Sequence, residues 1–141
     1  MIGIYVAEWS KPLDRQRLKS IRHRVFVEEQ GISCREEIDG FDASCRHLIA
    51  IADGIGCIGC ARIMTTGQLG RMAVQKAFRG RGIGASLLKH AIEEARLFVP
   101  NDIFLHAQSH AEAFYTRFGF IKKGGTFEEA GISHILMTLN P

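Results

Sequence analysis

The stretch AFRGRGIGASLLKHAIEEAR, residues 77–96, alternates Gly80, Gly82 and Gly84 with Arg79, Arg81 and Ile83, directly ahead of a run with helical periodicity. Glycines allow a tight turn and a close approach of ligand to backbone, and the first N–H groups of a helix together carry about half a positive charge. The two arginines add charge to the same place, and the loop holds no Asp or Glu. This composition suits an anion, phosphate above all, bound on backbone amides. A P-loop would close on Gly-Lys-Ser/Thr, which does not occur, and Leu87 stands where a dinucleotide fingerprint needs its third glycine. Arg79 to Gly84 reads instead as Arg-x-x-Gly-x-Gly.

Two other groupings could carry chemistry. Cys57 and Cys60 have the spacing of a zinc knuckle, and Cys34 and Cys45 complete a set of four. Their context, IGCIGCARIM, reads as a strand, on which residues three apart face opposite ways and cannot share a metal. Reduced, buried thiols in a reducing compartment and no metal site are the expectation. The segment 32–44 carries Glu36, Glu37, Asp39 and Asp42, a cluster that could attract a cationic amine and is expected to stay solvated.

The elements that must position these residues follow from periodicity. Residues 2–7 read as a strand, and Pro12 with Asp14 marks the entry to a helix on which Leu18, Ile21 and Val25 share a face. Arg15, Arg17, Lys19, Arg22 and Arg24 cover the rest, a basic run expected to be a solvated helix face. Gly31 closes that segment, and 32–44 reads as a loop. Two β-branched runs flank Asp53-Gly54 as a hairpin, and a turn at Thr66-Gly67 leads to the strand LGRMAV. After the glycine loop, Ile83, Leu87, Ala91 and Ala95 recur every four residues, widened by Leu88 and Ile92, which predicts a long amphipathic helix. Residues 100–102 break it, IFLHAQ returns as a buried strand, and a short helix AEAFYTRFG is capped by Gly119. Two more strands around a polar loop complete one α+β domain spanning 1–141, built on a mixed, mostly antiparallel twisted sheet.

At this point the chain resembles the GNAT superfamily of N-acetyltransferases, and within it the small bacterial ElaA-like branch. RHRVFVEEQG, EIDGFDASCRHLIA, GRMAV, RGRGIGASLL, AQSHAEAFYTRFGF and AGISHILM carry the likeness in order along nearly the whole chain. The resemblance implies helices on both faces of the sheet, a splayed parallel strand pair at 69–74 and 103–108, and acetyl-CoA as cosubstrate. It implies that Met72, Ala73 and Val74 bind pantetheine through the main chain. Arg79, Gly80, Arg81, Gly82, Ile83, Gly84, Ala85 and Ser86 would then hold the pyrophosphate. Gln108 occupies a position where many members have a cofactor-binding asparagine, and His110 departs from the branch. Tyr115 matches the tyrosine that protonates the leaving sulfur, and Glu29 and His134 are the candidates for base or acceptor-side residue.

The bulk properties agree with such an enzyme. A net charge of +3 over 141 residues is too mild for a nucleic-acid binder and suits a small anionic ligand. No apolar run approaches the roughly 18 residues of a membrane helix, and the N-terminus lacks the pattern of a signal peptide. The expectation is a cytoplasmic monomer or homodimer that acetylates a small-molecule or peptide amine. A catalytically silent acyl-CoA sensor and a zinc-dependent interaction protein are the competing classes.

Overall fold

Most strands and helices form where the apolar pattern places them, and the computed structural model, which describes residues 1–139, shows how they pack. Seven strands make one sheet in the order β1 (Ile2–Ala7), β2 (Arg46–Ala52), β3 (Gly56–Ile63), β4 (Gln68–Val74), β5 (Phe104–Gln108), β7 (Ile132–Leu139) and β6 (Phe120–Glu129). All neighbours are antiparallel except β4 and β5. Helix α3 (Ile83–Arg96) lies on one face, burying Ile83, Leu87, Leu88, Ala91 and Ala95 against Leu48, Ile58, Ala61, Ile63 and Leu105. Helix α4 (Glu112–Thr116) packs Phe114 and Tyr115 on the same cluster. The opposite face receives α1 (Pro12–Arg22), whose Leu18 and Ile21 meet Ile49, Cys60 and Ala73. Each fully buried leucine contributes on the order of 2 kcal/mol. Among the described residues no helix is long and apolar enough to cross a membrane.

Three local expectations are corrected. Helix α1 runs on into seven residues of π-helix, His23–Glu29, which buries the adjacent Val25 and Phe26 before Gly31 turns the chain at φ +73°. Segment 32–44 is partly ordered: α2 (Cys34–Glu37) is capped by Ser33 Oγ, which accepts from the Glu36 amide, and a short 3-10 turn covers Asp42–Ser44. The last two strands are joined by Ala130-Gly131, both left-handed, and the residues read as a polar loop belong to β6 with a bulge between Lys123 and Thr126.

The cysteine argument also changes. A bulge between β2 and β3 makes Ile58 and Gly59 both face α3, so Cys57 and Cys60 emerge on the same, α1, face. Both remain free thiols, as do Cys34 and Cys45, and burial pushes the Cys57 thiol up to about 11. Among the described residues no cluster of three or more His, Cys, Asp or Glu has the geometry to hold a metal ion.

Candidate functional site

Strands β4 and β5 pair only at Gln68–Phe104 and Leu69–Leu105. Beyond that point β4 continues beside β3 and β5 beside β7, so the two diverge. The cause lies in β4, where the register against β3 slips between Arg62–Gly70 and Cys60–Ala73 and a bulge at Arg71 bends the strand. Arg71 itself is left-handed, φ +45°. At the base of the pair Gly67 is required, because a Cβ there would overlap the Asp102 carbonyl. The divergence opens a cleft of about 650 Å³, walled by Met72, Ala73 and Val74 on one side and Leu105 and Gln108 on the other.

The glycine loop lies at the end of the β4 wall. Gly80 and Gly82 take φ +78° and +80°, and Gly82 caps α3 without a side-chain hydrogen bond. Ser86 is the first residue of the helix to bond back, its amide donating to the Gly82 carbonyl at 3.0 Å. The amides of Ile83, Gly84 and Ala85 therefore lack an intrahelical acceptor, which is the arrangement that binds anions. Arg79 is tethered, donating to the Val74 carbonyl and to the Glu29 carboxylate, each at 2.9 Å. Arg81 lies over the Phe78 ring, 5.2 Å from its centre, and is exposed.

The sequence-predicted side chains divide between the cleft and its rim. Tyr115 lines the cleft and packs edge-on against Phe114 and Phe120, and burial alone pushes its phenol up to about 12. His134 also lines it, 6% exposed, with Nδ1 2.7 Å from the Ile132 carbonyl. A carbonyl only accepts, so Nδ1 carries a proton, and Nε2 lies 3.8 Å from Glu129 Oε2. The other Glu129 oxygen is 3.0 Å from His106 Nδ1. Glu29 does not join this group, since its carboxylate is the partner of Arg79. Gln108 reaches across the cleft mouth, its Nε2 donating to Gln30 Oε1 at 2.9 Å, while its Oε1 meets His110 Nε2 at 2.9 Å.

Sequence reasoning missed the ionic cluster at the cleft's wall. Arg22, assigned to a solvated face, is 1% exposed and donates to Glu37 Oε2 at 2.6 Å and Asp42 Oδ1 at 2.7 Å. Glu37 and Asp42, expected to be wet, are 6% and 4% exposed. Arg62 adds bonds to Asp42 and Asp39, and Arg71 reaches Glu37 and Asp39. Against the burial that would raise it, the bonds from Arg62 and the Phe41 amide hold the Asp39 carboxyl down at about 2. Burial lowers His47, which stacks on Trp9 and bonds the Asp42 carbonyl. The available signal was pairing of sign: basic residues at helix spacing followed by four carboxylates, of which Glu37 lies 15 and Asp42 20 residues after Arg22.

Residues 15–141 match the family model described as an acetyltransferase (GNAT) domain. Protein ElaA of Escherichia coli (strain K12) is 33% identical over 129 residues, spanning 85% of this chain and 83% of that protein. The crystal structure of Escherichia coli ElaA superposes with a TM-score of 0.89 at 30% identity, covering 99% of this chain and all of that one (100%). An acyl-CoA N-acyltransferase from Pseudomonas aeruginosa gives 0.88 at 29% identity over 99% of both chains. A GNAT family acetyltransferase from Elizabethkingia anophelis, solved with acetyl-CoA bound, shares the fold at a TM-score of 0.71 and 20% identity, over 99% of this chain and 98% of that one.

Proposed function

From the premise that this chain belongs to the GNAT acetyltransferase family, in its ElaA-like branch, we propose that it transfers the acetyl group of acetyl-CoA directly to a primary amine of a small molecule or peptide. The observation that carries the proposal is the splay: two paired residues on each of β4 and β5, then a cleft walled on its β4 side by Met72, Ala73 and Val74, with the glycine loop and the uncapped start of α3 following that strand in the chain. Met72, Ala73 and Val74 bind the pantetheine arm, and one of their amides polarises the thioester oxygen. Gly80 to Ser86 hold the pyrophosphate, with the exposed Arg81 and the tethered Arg79 as its cations. Gln108, engaged by Gln30 and His110, borders the acyl end.

Each residue then has one task. His134 Nε2 takes the proton that the attacking nitrogen sheds, while Glu129 faces the resulting imidazolium. The new C–N bond replaces the C–S bond, and Tyr115 donates its hydroxyl proton to the departing sulfur. Solvent returns the proton from His134 to the phenolate, leaving amide and free CoA. Glu29 orders the loop through Arg79 rather than acting as base. The free thiols suit a reducing cytoplasm, where the protein acts as a monomer or homodimer.

Calorimetry with acetyl-CoA tests the reading. Saturable binding is expected in wild type. Arg81→Ala, which removes an exposed guanidinium lying over Phe78, should weaken it by roughly 1–3 kcal/mol, the worth of a charge-assisted bond. Equal affinity in the two proteins would place the phosphates elsewhere.

A further inference from the structure

Arg71 holds a left-handed backbone although Gly70 stands immediately before it. Glycine adopts that conformation without steric cost, whereas an L side chain there costs roughly 1–2 kcal/mol. Such strain persists only where surrounding contacts over-determine it. Here the contacts come from the guanidinium. Its Nη2 donates to the Glu37 carbonyl at 2.9 Å, to Asp39 Oδ2 at 3.2 Å and to the Glu36 carbonyl at 3.4 Å. Its Nε donates to the same Glu37 carbonyl at 3.2 Å and lies 3.4 Å from Glu37 Oε2. On the main-chain side the Arg71 carbonyl accepts the Cys60 thiol at 3.2 Å. One residue thus joins the bulge of β4 to the segment that brings Glu36, Asp39 and Phe41 to the cleft.

We propose that Arg71 is a positioning residue that couples the two halves of the site, so that occupation of the β4 main chain by acyl-CoA orders the wall formed by residues 36–41. Its backbone sets where Met72 begins, and its side chain fixes where the acceptor wall stands. A ligand bonded to Met72, Ala73 and Val74 removes freedom from the bulge, and the guanidinium passes that restraint to two carbonyls and two carboxylates. Binding of the cosubstrate then completes the surface that receives the amine. The inference rests on the assignment of β4 as the cofactor strand.

Hydrogen exchange with and without acetyl-CoA is the test, because it needs no acceptor. In wild type, saturating acetyl-CoA should slow exchange of the amides of residues 36–41 at least fivefold. Arg71→Gly keeps the left-handed backbone and removes the clamp. It should bind acetyl-CoA within about threefold of wild type yet show no slowing in 36–41. Arg71→Lys keeps a cation near Asp39 but loses the fork on the Glu37 carbonyl, and should restore part of the effect. Acetyl-CoA bound to wild type with 36–41 unchanged, or equal slowing in Arg71→Gly, overturns the coupling alone. Should Arg71→Gly not fold, wild-type slowing with undiminished slowing in Arg71→Lys overturns it too. No binding of acetyl-CoA to wild type overturns the proposed function, and the coupling with it.

Discussion

At the residue scale the distinction between an enzyme and a sensor of acyl-CoA rests on Tyr115. Its ring is held by Phe114 and Phe120, and no charge or hydrogen bond contributes to the shift of its phenol to about 12. We propose that this hydroxyl, protonated through the neutral range at the wall of the cleft, supplies the proton to the leaving sulfur. Tyr115→Phe retains the ring packing, so acetyl-CoA affinity should barely move while kcat and kcat/KM fall together by roughly 10²-fold. Steady-state kinetics on any amine that serves as acceptor decides the matter, and unchanged turnover would make Tyr115 a packing residue. Tyr115 and the glycine loop could be singled out as candidates from the sequence because both sit in local patterns. It did not show Arg71, whose significance is a backbone angle that no side-chain type announces.

At the element scale the cleft depends on how two strands part and on what braces the segment beside them. Gly67 lies where β5 joins β4, and Gly67→Ala would drive a methyl group into the Asp102 carbonyl besides straining a φ of +96°. We expect a loss of about 2–4 kcal/mol in denaturant unfolding, since neither backbone can yield without disturbing the Gln68–Phe104 pairing. The brace is Arg22. Arg22→Met leaves Glu37 and Asp42 short of a buried partner and should cost roughly 3–5 kcal/mol, whereas changing Arg22 and Glu37 together to Met should cost less. A double variant no more stable than the single one would mean that packing, not the stranded carboxylate, sets the penalty. These elements were legible where spacing alone defines them, as in α3. Where a charged side chain turns inward, as Arg22 does, helix periodicity assigns it to solvent, because only the far loop supplies its counter-charges. The β3 bulge misled for a related reason: it adds one residue and reverses the parity on which the cysteine argument rested.

At the scale of the whole molecule the buried groups set a pH window for stability. Burial holds His47 below its ordinary value, so its contribution is complete above about 6.5 and is lost as pH falls toward the folded value. Asp39, held at about 2, contributes fully above the ordinary carboxylate range and is lost as pH falls through that value. Tyr115 works in the opposite sense, contributing below pH 10 and losing its share as pH rises toward 12. Thermal melts across pH should show a plateau from about 7 to 8, a decline above about 9 as the desolvated Cys57 and Cys60 thiols favour the unfolded chain, and a decline below about 6.5 that His47→Gln flattens. A decline that starts only below pH 4 would contradict the role of His47. The succession of strands and helices was legible from periodicity, and the family from six motifs in order along one chain; the wall proposed for the acceptor was not, because it forms only when residues 32–44 fold against β4. The central claim is that this cleft joins an acyl group to an amine. Its most direct measurement is release of free CoA from acetyl-CoA, followed with a thiol reagent, over a panel of primary amines at saturating acetyl-CoA. The account predicts protein-dependent, saturable release with at least one amine and formation of the matching amide in equal amount. Acetyl-CoA bound tightly, with release no faster than in the absence of protein for every amine, would contradict it.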